Sequence, residues 1–199
     1  QQFKQIGNAV PPLVARALNS ATDREVDLVV RVGSSPREPG LWMMGQMIQG
    51  ILAEFPGFYS IYIKDLATGD EFADDADMAY AGTSILKIAI MVEAYRHLDG
   101  PPDLDTTKIL TETMTLSGNF TANLLLRYTI GDGDAYQGVR RLNESLRYLG
   151  LVNTFMATPY DEDVLPQRIS TPANQRTDVN TNPDPFMQTT PQDMGRLLE

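Results

Sequence analysis

Two residues with catalytic chemistry stand three positions apart in an apolar stretch of the chain. The segment AGTSILKIAIMV, residues 81–92, places Ser84 and Lys87 among side chains that are almost all apolar. Residues three apart on a helix share one face, roughly 5–6 Å apart between Cβ atoms, so the hydroxyl and the amine can meet. Apolar surroundings and the positive end of a helix disfavour the ammonium, and a neutral amine accepts a proton from a serine. Ser84 is therefore a candidate nucleophile that needs no histidine.

The same pair has a structural interpretation that involves no chemistry. Ser84 can cap the N-terminus of a helix while Lys87 extends its ammonium to solvent along an apolar stem. A second polar pair, Ser117 and Asn119, lies in a Ser-Gly-Asn turn between two helical segments, and such turns are also typical of helix capping. The two interpretations are separated by whether these four side chains meet.

The surrounding pattern predicts a mostly helical unit with one hairpin. Helical apolar spacing covers residues 41–55, 84–98 and 134–150, the short segments on either side of the Ser-Gly-Asn turn, and the chain from Thr190 onwards, with Thr190 as N-cap and Pro191 at the first helical position. The first two turns of 84–98 are apolar nearly all round, which predicts a helix buried on several sides. Residues 58–65 and 71–73 predict the strands of a hairpin joined by the turn ATGD, residues 67–70. The stretch 153–188, with five prolines, predicts a long irregular loop. The side chains of Trp42, Met43, Met44 and Met47 are expected to pack as core against the sheet, with an apolar ligand-binding patch as the alternative.

Four of these segments, in this order, resemble the class A β-lactamase and penicillin-binding-protein family. They are the hairpin, the helix with Ser84-x-x-Lys87, the Ser117-x-Asn119 turn and the helix TTPQDMGRLLE, so the resemblance covers about residues 41–199. It implies an α/β (α+β) fold, with a helical subdomain around a buried nucleophile helix and the first hairpin of an incomplete antiparallel sheet. A hairpin alone is marginally stable, so we expect the missing strands to lie beyond Glu199.

The resemblance implies a serine hydrolase and a role for each of the four residues. Ser84 is expected to be acylated by a small-molecule β-lactam or a peptidoglycan-like amide, with Lys87 as its base. Ser117 is expected to relay a proton to the leaving nitrogen, and Asn119 to hold the amide side chain of the substrate. The N–H of Ser84 would supply half of an oxyanion hole. A peptidase or esterase with slow deacylation and a non-catalytic binding domain are the alternatives.

Two features of the family lack a clear match. The chain contains no Lys-Thr-Gly sequence, which in the family lies on a late strand and contributes the other half of the oxyanion hole. The loop glutamate that activates the deacylating water has only a weak counterpart in Glu162, with Asp178 and Asp184 as alternatives. Solvated loop carboxylates are the competing interpretation for all three. We therefore expect a catalytically incomplete chain.

The first 32 residues are interpreted as a separate N-terminal extension. Residues 5–18, QIGNAVPPLVARAL, resemble the closing motif of DNA cytosine-5 methyltransferases, and residues 33–40 have the composition of a linker. Methyltransferase activity is excluded because a chain with no cysteine cannot carry that enzyme's catalytic Pro-Cys segment. We expect a fused gene fragment, with chance similarity as the alternative, before a β-lactamase-like domain over residues 41–199.

Composition restricts the partners further. A formal net charge of -10 argues against binding to nucleic acid, which needs a basic face to displace counterions. With no cysteine and a single histidine, His97, no cofactor or metal site is expected. The apolar runs are shorter than the roughly 20 residues of a membrane-spanning helix. The family resemblance implies an extracytoplasmic protein, although the chain has no signal peptide.

Overall fold

The computed structural model describes residues 40–164 and 166–199. The N-terminal extension, residues 1–32, and nearly all of the linker lie outside these residues, so the domain boundaries stay a prediction. The described residues form helices packed around one buried helix, together with two small antiparallel sheets. No helix among them is both long and apolar enough to cross a bilayer.

The hairpin consists of strands β1 (Ile61–Lys64) and β2 (Glu71–Asp74), which pair in antiparallel register over all four residues of each. Its turn is closed by Asp65, whose side chain accepts a hydrogen bond from the N–H of Ala67 at 2.8 Å. Gly69 in the same turn has a φ of +80°, a left-handed conformation that favours glycine. The predicted hairpin is confirmed.

Helix α1 (Leu41–Leu52) lies against this hairpin. Gly45 is its only buried residue, and it faces the ring of Phe72 so closely that a Cβ would lie 2.2 Å from the ring. The prediction that Trp42, Met43, Met44 and Met47 form core is wrong. Apolar residues occur on several sides of α1, and only the side with Gly45 meets the hairpin. The exposed fractions are 69% for Trp42, 50% for Met43, 36% for Met44 and 61% for Met47.

A second sheet contains three short strands, β3 (Tyr80–Ala81), β4 (Phe155–Met156) and β5 (Met187–Thr189). Their spatial order is β3-β5-β4, and both pairs are antiparallel. The sequence predicts one irregular loop over 153–188, but both ends of that stretch enter this sheet. Strands of two or three residues show too little alternation to be recognised in a sequence. The loop therefore begins at β4 and ends at β5, two strands that pair with each other in this sheet.

The central helix, α2 (Leu86–Arg96), is buried on several sides, as the sequence predicts. Leu86, Ala89, Ile90 and Ala94 are each at most 1% exposed. Around α2 pack α3 (Leu104–Thr115), α4 (Asn119–Leu124), a π-helical segment (Leu125–Ile130) and α5 (Ala135–Tyr148). The predicted helix over 84–98 is shorter at both ends, and Ser84 lies in a 3₁₀ turn, Thr83–Ile85, before it.

The last helix, α6 (Pro191–Leu197), joins the end of the long loop to the hairpin. As the sequence predicts, Thr190 caps it, accepting a hydrogen bond from the N–H of Asp193, and Pro191 takes the first helical position. Gly195 faces the ring of Tyr62 in β1, where a Cβ would lie 2.2 Å from the ring. Both sheets and the long loop are therefore tied to the helices that surround Ser84.

Candidate active site

Ser84 lies in the tight turn between β3 and α2. The preceding Gly82 donates its N–H to β5 at 2.8 Å, and a Cβ on it would lie 2.8 Å from the side chain of Leu86. Thr83 has a φ of +36°, a conformation that β-branched residues rarely adopt. Such a conformation persists only where its surroundings hold it. The backbone that presents Ser84 is thus strained and fixed by its neighbours.

Lys87, in the first turn of α2, contacts both Ser84 and the Ser-Gly-Asn turn. Its Nζ lies 2.9 Å from Ser84 Oγ, 3.2 Å from Ser117 Oγ and 2.8 Å from Asn119 Oδ1. The residue is 2% exposed, so it does not extend its amine to solvent. Three acceptors match the three N–H donors of an ammonium. When the amine is neutral, the Ser84 hydroxyl can donate to its lone pair instead.

The protonation of Lys87 is set mainly by burial. Burial lowers the pKa of the Lys87 amine from its ordinary value of 10.5, because the ammonium loses its hydration. The negative charge of Asp161 acts in the opposite direction and raises the same pKa. Burial is the larger effect. The arrangement therefore favours the neutral amine that proton transfer from a serine requires.

Ser117 and Asn119 reach Lys87 from the turn between α3 and α4. Ser117 has a φ of +55°, and Gly118 precedes α4, so the chain reverses sharply here. Asn119 is the first residue of α4. A turn of this kind brings both side chains back toward α2, and the four residues singled out in the sequence meet at one point. Their catalytic roles stay predictions.

Asp161 is a functional candidate that the sequence reasoning missed. Its Oδ1 accepts a hydrogen bond from Asn119 Nδ2 at 3.0 Å. Nothing in the sequence distinguishes Asp161 from its acidic neighbours Glu162 and Asp163, because all three lie in one loop without periodicity. Asp161 contacts Asn119 because of the path that the chain takes after β4.

The three carboxylates proposed from the sequence for deacylation have different surroundings. Glu162 and Asp184 line the cleft beside Ser84. Asp178 instead binds the guanidinium of Arg176 at 2.6 Å and does not line that cleft. A deacylating role for any of them stays a prediction.

The cleft has a volume of about 280 Å³ and opens above the nucleophile. Among its lining residues are Thr83, Ser84, Asn119, Tyr160, Asp161 and Glu162. A hydroxyl, an amide and carboxylates thus face one space large enough for a small amide substrate, while Lys87 is buried and does not line that space.

Acidic side chains also gather away from the cleft, at Arg176. Its guanidinium contacts Asp75 at 3.1 Å, Asp77 at 2.7 Å and Asp178 at 2.6 Å. The single positive charge of the arginine offsets one of these three negative charges, and each carboxylate has the guanidinium as its partner. Within residues 40–164 and 166–199 there is no group of three or more acidic or histidine side chains that could hold a metal ion.

The site lies in a fold that is already known. Residues 44–108, which contain Ser84 and Lys87, match the model of the β-lactamase enzyme family. An ancestral class A β-lactamase is similar with a TM-score of 0.54 and 20% identity, over 78% of this chain and 62% of that chain. The fold is that of class A β-lactamases. A β-lactamase from Desulfarculus baarsii has the same TM-score of 0.54 at 17% identity, over 78% of this chain and 60% of that chain. No curated protein matches the sequence.

The class A β-lactamase fold confirms the α/β class predicted from the sequence and the resemblance of residues 41–199. The chain spans about three fifths of the length of these β-lactamases. Its activity and its substrates are therefore matters of proposal. The resemblance of residues 5–18 to methyltransferases lies outside the described residues and stays a prediction.

Proposed function

We propose that residues 41–199 carry the acylating site of a β-lactamase-like serine hydrolase, which forms an ester on Ser84 from a β-lactam or a peptidoglycan-like amide. The observation that supports this most is the contact of the buried Lys87 Nζ with Ser84 Oγ at 2.9 Å. Burial favours the neutral amine, and only the neutral amine can take the serine proton.

In the proposed reaction, Ser84 Oγ attacks the carbonyl carbon of the substrate while its proton passes to Lys87 Nζ. The carbonyl oxygen becomes an oxyanion, which the backbone N–H of Ser84 stabilises. Ser117 Oγ, 3.2 Å from Nζ, then relays a proton from the ammonium to the nitrogen as the C–N bond breaks. The products are an acyl ester on Ser84, a neutral amine and a neutral Lys87, so protons and charges balance.

Asn119 is proposed to hold the amide side chain of the substrate. Its Oδ1 accepts from Lys87 and its Nδ2 donates to Asp161. Because the amide nitrogen carries two hydrogens, Asn119 can keep Asp161 and still donate to a substrate carbonyl in the cleft. Binding of the substrate then requires no break in the contacts of Lys87.

Release of the ester is expected to be slow. Among the described residues, no carboxylate accepts a hydrogen bond from Lys87 or Ser84, and Asp161 is engaged by Asn119. Glu162 and Asp184 line the cleft, but neither is bonded to Ser84 or Lys87. Rapid hydrolysis needs a base that activates water next to the ester. A persistent acyl-enzyme, as in penicillin-binding proteins, is therefore favoured over efficient lactamase turnover.

The proposal extends to partners and location. The net charge of -10 supports a small-molecule substrate rather than nucleic acid. An extracytoplasmic location is proposed on the family resemblance alone.

The test is covalent labelling of the 199-residue chain with a fluorescent penicillin, followed by intact mass and peptide mapping. We expect an adduct of the full mass of the penicillin on the peptide that contains Ser84, formed slowly because the chain contains no Lys-Thr-Gly sequence. We expect this adduct to persist after free penicillin is removed. Ser84→Ala should give no adduct, and Lys87→Met should give it far more slowly. Rapid turnover of nitrocefin would contradict slow release.

The rival function, a binding domain without chemistry, gives a different result. In that case penicillin would raise the Tm of the chain and of Ser84→Ala equally, with no change in mass. A folded chain that penicillin neither labels nor stabilises would overturn both functions.

A further inference from the structure

Tyr160 contacts both Lys87 and the backbone before Ser84. The centre of its ring lies 4.4 Å from Lys87 Nζ, and its hydroxyl donates a hydrogen bond to Thr83 O at 3.0 Å. The residue is 6% exposed although it lies in the long loop. Neither contact has a part in the reaction proposed above.

The position of Tyr160 is fixed by α4. Its backbone N–H donates to Asn123 Oδ1, and Asn123 Nδ2 donates to its carbonyl oxygen, both at 2.9 Å. Asn123 lies in the helix that begins with Asn119. One short helix therefore carries a residue that contacts Lys87 directly and another that holds Tyr160 against it.

We propose that Tyr160 is a positioning residue of this site, which covers Lys87 with its ring and fixes the peptide that presents Ser84 with its hydroxyl. The inference rests on the proposed function, and it assigns to the long loop a role in setting the base and the nucleophile.

The ring acts on Lys87 through its electrostatic field. The face of an aromatic ring attracts an ammonium within about 6 Å of its centre. Burial disfavours that ammonium, whereas Asp161 favours it. The other charged residues that line the cleft with Tyr160 are Glu162 and Asp184. The ring therefore limits how far burial lowers the pKa of Lys87, and a general base works best when its pKa is near the working pH.

The hydroxyl acts on Ser84 through one peptide group. Thr83 O and the N–H of Ser84 belong to the same planar trans peptide and point in opposite directions. A hydrogen bond that fixes Thr83 O also fixes the direction of the Ser84 N–H, the proposed oxyanion donor. The strained φ of +36° at Thr83 makes such a restraint necessary. Tyr160 thereby supports the proposed oxyanion donor at Ser84.

Two variants of the full chain separate these effects. Tyr160→Phe keeps the ring and removes the hydroxyl, and Tyr160→Leu removes the ring but stays apolar. The chain has four lysines, so ¹³C-labelled lysine gives a simple NMR titration in which Lys87 is assigned by its absence in Lys87→Met. This titration requires no turnover, so it tests the ring even if penicillin fails to acylate the chain.

We expect Tyr160→Leu to lower the titration midpoint of Lys87 by about half to one pH unit, because the aromatic contact is lost. Tyr160→Phe should leave the midpoint unchanged and slow penicillin labelling about two- to tenfold, the usual effect of one lost hydrogen bond. A midpoint in Tyr160→Leu that stays in place or rises overturns the role of the ring. Labelling of Tyr160→Phe at the wild-type rate overturns the role of the hydroxyl.

A purely structural role of Tyr160 predicts a third result. Both variants would then loosen the site, and the midpoint of Lys87 would rise toward 10.5, the ordinary value of a lysine in water. That result also overturns the proposal. Failure of penicillin to label the wild-type chain, together with the expected shift in Tyr160→Leu, would overturn the proposed acylation while leaving the contact of the ring with Lys87 intact.

Discussion

Asn119 Nδ2 donates a hydrogen bond to Asp161 Oδ1 across 3.0 Å, which joins the first residue of α4 to the long loop. The other end of the same amide, Oδ1, accepts from Lys87 at 2.8 Å. Asn119 therefore keeps the negative charge of Asp161 near the amine without a direct ion pair. Substitutions of Asn119 and of Asp161 should shift the pKa of Lys87 in opposite directions.

Asn119→Asp should slow acylation at neutral pH. The new carboxylate lies beside Lys87 Nζ and favours the ammonium, and an opposite charge at this distance shifts a pKa by about one to three units. We expect penicillin labelling at pH 7 to fall at least about tenfold and to recover as the pH is raised. The matched variant Asp161→Asn removes a charge that favours the ammonium. It should shift the rate profile to lower pH, and shifts of both profiles in the same direction would contradict this account.

The rate of acylation should rise with pH in the wild-type chain. Lys87 acts as a base only when neutral, and burial lowers the pKa of its amine below 10.5. The labelling rate should therefore increase through that lowered pKa and reach a plateau below pH 10.5. Stopped-flow measurement of labelling against pH checks this. An increase that continues past the pKa of an ordinary lysine would mean that Lys87 is not the base.

The same pKa makes stability depend on pH. Between the lowered pKa of Lys87 and 10.5, the folded chain holds a neutral amine while the unfolded chain holds an ammonium. The unfolded state then binds more protons, so the free energy of unfolding gains a positive slope with pH in this window. Urea unfolding at several pH values should reveal that slope in the wild type but not in Lys87→Met. Equal slopes in the two proteins would contradict a depressed pKa.

A methyl group at Gly45 should destabilise the contact of α1 with the hairpin. A Cβ there would lie 2.2–2.4 Å from the ring of Phe72, which is too close for any side chain. We expect Gly45→Ala to lower the free energy of unfolding by about 1–3 kcal/mol, as overpacking does. Gly50→Ala is the matched control on the same helix, where a Cβ meets nothing within 4 Å. It should stabilise by about 0.5–1 kcal/mol, and urea titration of both variants gives the comparison.

Arg176 should hold the loop to the hairpin through charge. It contacts Asp178 in the loop and Asp75 and Asp77 after β2, and these contacts raise its pKa. Arg176→Gln leaves three carboxylates facing one another, so the Tm should fall, and the difference from wild type should shrink in about 1 M salt.

The control is Lys108→Gln, which breaks one exposed pair with Asp105 and should leave the Tm nearly unchanged. Equal effects of the two variants would contradict a network at Arg176.

The sequence predicts the elements with strong local signals. The turn at Gly69, the Thr190 cap with Pro191 and the all-round apolar character of α2 each appear in the structure as expected. The meeting of Ser84 with Lys87 follows from their spacing of three. The contact of this pair with Asn119 is predicted only by the family resemblance, because no local rule of sequence brings α4 onto α2.

Long-range packing explains what the sequence did not predict. The pairing of β4 with β5 brings together short strands from the two ends of a long loop. The choice of Asp161 over Glu162 as the partner of Asn119 depends on the direction of the loop after β4. Apolar composition predicts core on the outward side of α1 as well, because composition does not reveal which faces of a helix have a neighbouring element.

Helix α1 holds the chain's single tryptophan, Trp42, with 69% of it open to solvent. An indole so placed emits at long wavelength and is readily quenched by iodide. The wavelength of this emission should not change when a β-lactam reacts with Ser84. A blue shift would instead indicate that a second molecule has bound to the outer face of this helix.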